Sequence, residues 1–251
     1  MGWLTGRMFW FSPVRDALRV HGADARTYLH SQLSQDIAAL AVGDSAWSFV
    51  LQPTGKVEVL LRVWRTADDV FVLDTDGGCG ETLVARLNRF KIRVKADIEP
   101  LDWGCLAVRG TTVDGMVVAW GEGGDLLGPD VAAPAGIAEG SAADYADARI
   151  AAGWPAMAAE ILPGQTIPAE TGVIDAAVSF TKGCYPGQEL VERMDSRGST
   201  APFHLAVLDR ADGDAVGGDV VRDGDVVGTI TSVGTRQVLA RIRRGVEPFA
   251  R

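Results

Sequence analysis

The chain has 251 residues, a hydrophobic fraction of 47%, a charged fraction of 23% and a formal net charge of -9, which is ordinary for a soluble globular protein. The acidic balance argues against binding to a nucleic-acid backbone, and no apolar run approaches the roughly 20 residues that span a bilayer. Because residues 1–16 also lack the apolar core of a signal peptide, we expect a cytoplasmic protein. We further expect a monomer that has neither a membrane nor a direct nucleic-acid partner.

The first hundred residues have the patterns of an α+β sheet with helices on one side. Strands are predicted at 14–20, 46–51, 56–65, 70–74 and 91–95, and helices at 25–35 and 82–90. Asp24 precedes the first helix and is its expected N-cap. The turn residues at 53–55 and 68–69 separate neighbouring strands.

The second half of the chain begins with a segment rich in Gly, Ala, Pro and Asp at 121–140, which predicts a connection. Ser141 and Asp144 have the spacing of a capping box, and Gly153 stands where the following helix should end. A short strand is predicted at 176–180. It leads directly into the string KGCYPGQE.

The character of the sequence changes after residue 200. Short strands are predicted at 205–208, 219–222, 226–230 and 237–242, with Asp223-Gly224 as a hairpin turn. Four short strands in about 50 residues predict a small β-barrel. We therefore expect an N-terminal region at 1–200 and a C-terminal domain at 201–251.

Cys184, in the string KGCYPGQE, has two interpretations. A functional thiol fits the nearby Lys182 cation, which favours thiolate, and the Pro186-Gly187 turn, which presents the side chain, although Glu189 acts in the opposite sense. A buried structural cysteine is the alternative. No histidine is near enough in sequence to serve as a base, so a cysteine-hydrolase mechanism is disfavoured.

The other cysteines and the histidines are scattered, which argues against a disulfide framework, a metal site or a complete catalytic triad. Cys79 and Cys105 are expected to be structural or incidental. A basic alternation is either a solvated strand face or an anion site. Its members are Arg86, Arg89, Lys91, Arg93 and Lys95.

Three further residues admit either a packing role or a ligand role. Trp154, before Pro155, could cover the core or stack on a flat ligand. Glu160 and Glu170 could be solvated, or could pair with the N–H groups of a heterocycle.

Several segments, taken in order, carry a family resemblance. They are RVHGADARTYLHSQLSQDI, LQPTGKVEVLLRVW, LNRFKIRVKADI, ARIAAGWP, IPAE, AVSFTKGCYPGQELVERM and VGTITSV, and they cover nearly the whole chain. The K-G-C-Y-x-G-Q-E string is the most specific of them. The sequence resembles the YgfZ family of folate-binding proteins, relatives of the T-protein, the aminomethyltransferase of the glycine cleavage system.

This resemblance implies a fold and a function. The fold would be a three-domain ring, with two interleaved α+β domains and a C-terminal β-barrel around a central hole. That hole would bind tetrahydrofolate or a one-carbon derivative. The function would be the assembly or repair of iron–sulfur enzymes, with effects on tRNA thiomethylation, and the partners would be folate and iron–sulfur client enzymes or assembly factors.

The resemblance also assigns residues. Cys184 would be the functional thiol, in a motif loop that Lys182, Tyr185, Gln188 and Glu189 complete. The remaining folate contacts would be aromatic walls from Trp154 and Tyr185, cations for the glutamate tail from Arg193 and Arg197, and a carboxylate from Glu160.

Two positions depart from the pattern of the relatives. Leu60 occupies the position at which the T-protein has an acidic residue near the reactive folate nitrogens, and leucine cannot accept a proton. Ala151 stands where relatives often have a glutamate that grips the pterin. An accessory protein is therefore favoured over a folate-dependent aminomethyltransferase or demethylase, which would require Glu58 to reach the folate instead. A scaffold that has lost folate binding is a third interpretation.

Overall fold

The computed structural model describes residues 8–196 and 201–246, and the expected mixed α/β class is confirmed. The strands are β1 (Phe9–Phe11), β2 (Arg15–His21), β3 (Ser45–Leu51), β4 (Val57–Ala67), β5 (Val70–Asp76), β6 (Asp97–Leu101), β7 (Gly104–Arg109), β8 (Gly123–Gly128), β9 (Ala138–Glu139), β10 (Phe203–Asp209), β11 (Asp219–Arg222), β12 (Asp225–Val233) and β13 (Gln237–Arg243). The helices are α1 (Ala25–Gln32), α2 (Gly80–Phe90), α3 (Ala142–Ala151), α4 (Ile174–Ala177) and α5 (Gln188–Ser196).

The first sheet is antiparallel and has the strand order β3-β4-β5-β2-β6. One face packs against α1 and α2 through a hydrophobic core that includes Leu29, Leu83 and Leu87. Alternate residues of the strands face the other way, so the opposite face carries a second core around Trp47 and Phe49.

The strand predicted at 91–95 is wrong. These residues lie outside the helices and strands, and Arg93 has a left-handed backbone with φ 58°. The cause is tertiary: the Asp24 amide donates to the Lys95 carbonyl at 3.1 Å, and the Lys95 amide donates to the Asp24 carboxylate at 2.7 Å. Asp24 is thus the N-cap residue of α1, but its side chain holds this loop rather than capping the helix.

The second sheet has the order β8-β7-β1-β9, so the chain enters it at β1, builds the first sheet and then returns. β1 pairs antiparallel with β7 and parallel with β9. The capping box of Ser141 and Asp144 is confirmed at the start of α3. Gly153 has the left-handed φ of 64° expected just beyond that helix.

The four strands predicted after residue 200 are confirmed as β10 to β13. Within residues 201–246 they form one open antiparallel sheet in the order β10-β13-β12-β11, with no pairing that closes it. Asp223 and Gly224 both have positive φ, as a type I′ hairpin turn requires. The closed barrel, the three-domain ring and the boundary at residue 200 stay predictions.

The strand predicted at 176–180 is also wrong, because α4 ends at Ala177 and the chain then continues without a strand. Two residues that follow α1 take up the polar groups of this segment. The Ser34 hydroxyl donates to the Ala177 carbonyl at 2.6 Å, and the Gln35 amide group donates to the Ala176 carbonyl at 3.1 Å.

A buried network of charges joins the first sheet to the second. Arg62 of β4 is fully buried and donates two hydrogen bonds to Asp74 of β5, at 2.8 and 2.9 Å. It donates a third, at 2.8 Å, to Asp125 of β8, which Arg109 of β7 also contacts at 2.8 Å. Arg15 of β2 completes the network by donating to Asp74.

The electrostatics of this network follow from its pairing. Burial acts to lower the pKa of Arg62, but Asp74 and Asp125 outweigh it and raise that pKa. Burial acts to raise the pKa of Asp125, but Arg62 and Arg109 hold it below its usual range. The pairing therefore favours the charged forms of Arg62 and Asp125, and loss of one member leaves a buried charge without its partner.

Arg62→Met should lower the free energy of unfolding by about 3 kcal/mol, because the variant leaves two buried carboxylates short of a cation. Arg19→Met, on strand β2 of the same sheet, is the matched control. Arg19 pairs with Glu99 at the surface, where both side chains are 45% exposed, and its loss should cost at most about 1 kcal/mol. Urea unfolding followed by circular dichroism measures both, and equal losses would contradict the structural role of the network.

Candidate functional site

The KGCYPGQE string forms a tight turn that leads into α5. The Gln188 amide donates to the Tyr185 carbonyl at 3.3 Å across Pro186 and Gly187, and Gly187 has φ 85°, so the predicted type II turn is confirmed. A Cβ at Gly187 would lie 2.5 Å from the Gln52 carbonyl oxygen. The motif loop is thus pressed against the turn after β3, and glycine is the residue that allows this approach.

Cys184 is exposed at the surface of this loop, as the presented-thiol interpretation expects, whereas Cys105 is buried in β7 and Cys79 is half-buried. Burial raises the pKa of Cys105 to about 12. Whether Cys184 functions as a thiol stays a prediction. Among the described residues, no group of three or more His, Cys, Asp or Glu side chains is arranged to hold a metal ion.

Lys182 performs a different task from the one predicted. Its ammonium group donates to the carbonyls of His30, Leu33 and Gln35, at and just beyond the C-terminal end of α1. These carbonyls have no partner within the helix, and the helix dipole favours a cation there. Lys182 therefore fastens the motif loop to α1.

The remaining motif residues also have local contacts. Tyr185 is buried in the core around Trp47, and its burial raises its pKa to about 12. The Gln188 side chain accepts a hydrogen bond from the Tyr185 amide at 3.0 Å. Glu189 and Arg193 are exposed on α5, and Arg197 lies outside the described residues.

A cavity of about 190 Å³ lies between the first sheet, α3 and the segment after Gly153. Its wall is formed by Pro13, Val14, Arg15, Asp76, Trp120, Tyr145, Arg149, Trp154, Pro155 and Ala156. Trp154 is half-buried and packs on Trp47, with ring centroids 4.8 Å apart. Three aromatic rings and a few polar groups are the usual composition of a site for a flat ligand.

Glu160, predicted to grip a heterocycle, is instead buried in a second polar cluster. It accepts hydrogen bonds from Arg149 at 2.9 Å, from the Ala156 amide at 2.9 Å and from the Ser232 hydroxyl at 2.6 Å. Arg149 also donates to Ser232 at 2.7 Å. Because Ser232 belongs to β12, this cluster attaches the C-terminal sheet to α3 beside the cavity.

The structure also shows where the residues considered for transferase chemistry lie. Leu60 is 4% exposed within the apolar core, and Glu58 forms an ion pair with Arg86 of α2 at 3.2 Å. A carboxylate does line the cavity, but it is Asp76. One of its oxygens accepts from Arg15 at 2.9 Å and the other accepts from the Met157 amide at 2.9 Å.

The structure therefore brings Trp154 to the cavity but not the motif loop, because neither Cys184 nor its neighbours line the wall. Sequence reasoning missed Arg15, Asp76 and Arg149. One signal could have found part of the set, since Tyr145 and Arg149 lie four residues apart on a capped helix and share a face. Arg15 and Asp76 are adjacent only because β2 pairs with β5.

Comparison with known proteins shows which proteins this chain is similar to in sequence. No protein-family profile matches it. It is 28% identical over 188 residues to an uncharacterized protein of Haemophilus influenzae, an alignment that covers 72% of this chain and 66% of that one. It is 28% identical over 222 residues to the mitochondrial iron–sulfur cluster assembly factor IBA57 of Mus musculus, covering 73% and 61%.

The fold is that of a solved structure, the glycine cleavage system aminomethyltransferase T from Bartonella henselae. The two superpose with a TM-score of 0.73 at 16% sequence identity, over 95% of this chain and 79% of that one. The chain is a YgfZ/IBA57-type protein with the fold of aminomethyltransferase T.

This YgfZ/IBA57-type chain spans no more than about two thirds of the length of the curated relatives compared above. Among its described residues, no helix is both long and apolar enough to cross a membrane. The resemblance inferred from the ordered motifs is confirmed by these comparisons.

The Lys182 tether should give folding a distinctive pH dependence. Burial lowers the pKa of Lys182 to about 8 in the folded protein, although Asp36 acts to raise it. In an unfolded chain, the pKa of a lysine is about 10.4. Between these values the unfolded chain binds more protons, so this group makes folding more favourable as pH rises from about 8 to about 10.4.

The measurement is the free energy of unfolding of the natural chain minus that of Lys182→Met across this pH range. The difference should rise with pH. Lys182→Arg is the matched control, because arginine stays charged throughout and should show no such rise. Curves that stay parallel for the natural chain and Lys182→Met would contradict the assignment.

Proposed function

We propose that this YgfZ/IBA57-type chain binds tetrahydrofolate or a one-carbon derivative in the cavity beside Trp154. We propose further that it acts in the assembly or repair of iron–sulfur proteins, with client enzymes or assembly factors as partners and indirect effects on tRNA modification. The aromatic-walled cavity carries the folate part of the proposal. The name of the IBA57 relative supports the iron–sulfur part. The cytoplasmic location and monomeric state stay predictions.

The size of the cavity fits one part of such a ligand. Whole small-molecule sites are typically about 300–1,000 Å³, and this cavity has about 190 Å³. It therefore suits one ring system, the pterin, with the rest of the folate outside. Stacking on Trp154 and Trp120 would hold the ring, and Arg193 and Arg197 stay the predicted contacts of the anionic glutamate tail.

Aminomethyl transfer is the less favoured alternative. Leu60 offers no proton acceptor, and both oxygens of Asp76 already accept hydrogen bonds from Arg15 and Met157. These two hydrogen bonds give Asp76 a positioning role within the fold. Binding without one-carbon transfer is thus the simpler use of the site.

Titration with tetrahydrofolate should give a saturable change in tryptophan fluorescence at sub-millimolar ligand, because three indoles, Trp47, Trp120 and Trp154, line or adjoin the cavity. Trp154→Ala should weaken binding by about tenfold through loss of stacking. Isothermal calorimetry gives the same dissociation constants independently of the fluorescence.

Trp103→Ala is the matched control for that titration. Trp103 is a half-buried indole that packs near Trp64, away from this cavity, and its removal should leave folate binding unchanged. No saturable signal from the natural chain would remove the folate proposal. Equal weakening by both tryptophan variants would assign the effect of Trp154→Ala to general destabilisation.

Cys184→Ser should fail to restore iron–sulfur enzyme activity in cells that lack this protein, because the variant replaces the exposed thiol of the motif loop with a poorer nucleophile and metal ligand. Cys79→Ser is the control, since Cys79 is half-buried at the start of α2 and should be dispensable. Enzyme activity is compared at equal levels of each variant.

Full restoration by Cys184→Ser would contradict a role for the thiol. Together with retained folate binding, that result would favour a folate-dependent scaffold. Together with absent folate binding, it would favour a scaffold that keeps only a partner surface.

A further inference from the structure

Arg15 has a buried nitrogen without a partner. Its side chain is 5% exposed, its Nε donates to Asp74, and its Nη1 donates to Asp76 at 2.9 Å. The Nη2 atom is buried and has no hydrogen-bond partner among the described residues. Because the large majority of buried side-chain polar groups in folded proteins are satisfied, an unpaired guanidinium nitrogen calls for an explanation.

Arg15 is also one of the residues that form the wall of the cavity. Arg15 and Asp76 both line it, and the hydrogen bond from Nη1 joins the guanidinium group to the carboxylate of this second wall residue. Asp76 and Arg149, the other charged groups of the wall, are already engaged with protein atoms. Among the described residues, Nη2 is thus a donor on a wall residue that has no hydrogen-bond partner.

We propose that the Arg15 Nη2 group donates a hydrogen bond to a carbonyl oxygen on the ring of the bound ligand and so selects for that oxygen. This inference rests on the proposed function, in which the ring is a reduced pterin and the acceptor is its 4-oxo group. Asp74 and Asp76 fix the guanidinium plane before the ligand arrives, so little ordering is required on binding.

The chemistry makes the selection strict. A carbonyl oxygen accepts from a guanidinium N–H, whereas an amino group at the same position presents a second donor to it. In a buried site the mismatch leaves both groups unpaired, and discrimination against such analogues is strong for that reason. The 4-amino form of the ligand is therefore a sharp probe that leaves the protein unaltered.

The first experiment measures the dissociation constants of the natural chain for tetrahydrofolate and for its 4-amino counterpart, tetrahydroaminopterin. The 4-amino compound should bind roughly 10- to 100-fold more weakly, which corresponds to loss of one hydrogen bond to a charged donor. Equal affinities would overturn the assignment of Arg15.

The second experiment repeats both titrations on variants. Arg15→Met should reduce the ratio of the two dissociation constants towards one, because the selecting donor is gone. Trp154→Ala is the matched control, since it weakens stacking on either ring and should leave the ratio as it is in the natural chain. Arg15→Lys is the substitute if Arg15→Met fails to fold, because it keeps a cation near Asp74 but cannot reproduce the fixed fork of the guanidinium group.

The outcomes separate this inference from the proposed function. A ratio that persists in the folded Arg15 variants would overturn the role of Arg15 while leaving folate binding intact. Failure of both ligands to bind the natural chain at sub-millimolar concentration would overturn the proposed function, and this inference with it.

Discussion

The fold depends on the placement of one fully buried arginine between two sheets. Arg62 of β4 donates to Asp74 within the first sheet and to Asp125 of the second, so a single guanidinium group joins the two sheets. Charges removed from water are tolerated only when each has its partners. This pairing therefore favours one arrangement of the two sheets. Arg15, which donates to Asp74 of the same network, also lines the cavity, and its Nη2 atom has no hydrogen-bond partner among the described residues.

A second polar cluster repeats this principle at the other side of the cavity. Arg149 and Glu160 bind Ser232 of the C-terminal sheet, and Arg149 lines the same cavity as Arg15. The cavity is thus bounded by two clusters whose members already hold the sheets together. Groups fixed in this way are oriented before a ligand arrives. They therefore discriminate between ring systems by the hydrogen-bonding groups on the ring more than by its size.

The motif loop is separate from this cavity. It is held by the close approach of Gly187 to the turn after β3 and by Lys182 at the end of α1, and it leaves Cys184 exposed. The cavity and the thiol are therefore two features of one chain. In the proposed function, the cavity holds the folate ring and the thiol faces a partner.

The local sequence pattern by itself determined those structural features that depend only on neighbouring residues. The capping box at Ser141, the hairpin turn at Asp223, the turn at Pro186, strands β2 to β5 and the strands of the C-terminal sheet follow from short-range hydrogen bonding and side-chain alternation, which neighbouring residues fix among themselves. The ordered motifs also determined the kinship. Sequence pattern could not identify the hydrogen-bond partners of polar groups when those partners are distant in the sequence. Only the tertiary structure decided that the Lys95 amide donates to the Asp24 carboxylate, which replaces the predicted strand with a loop, and that Glu160 accepts a hydrogen bond from Ser232. The reason is that a hydrogen bond requires proximity in space, which sequence spacing does not encode.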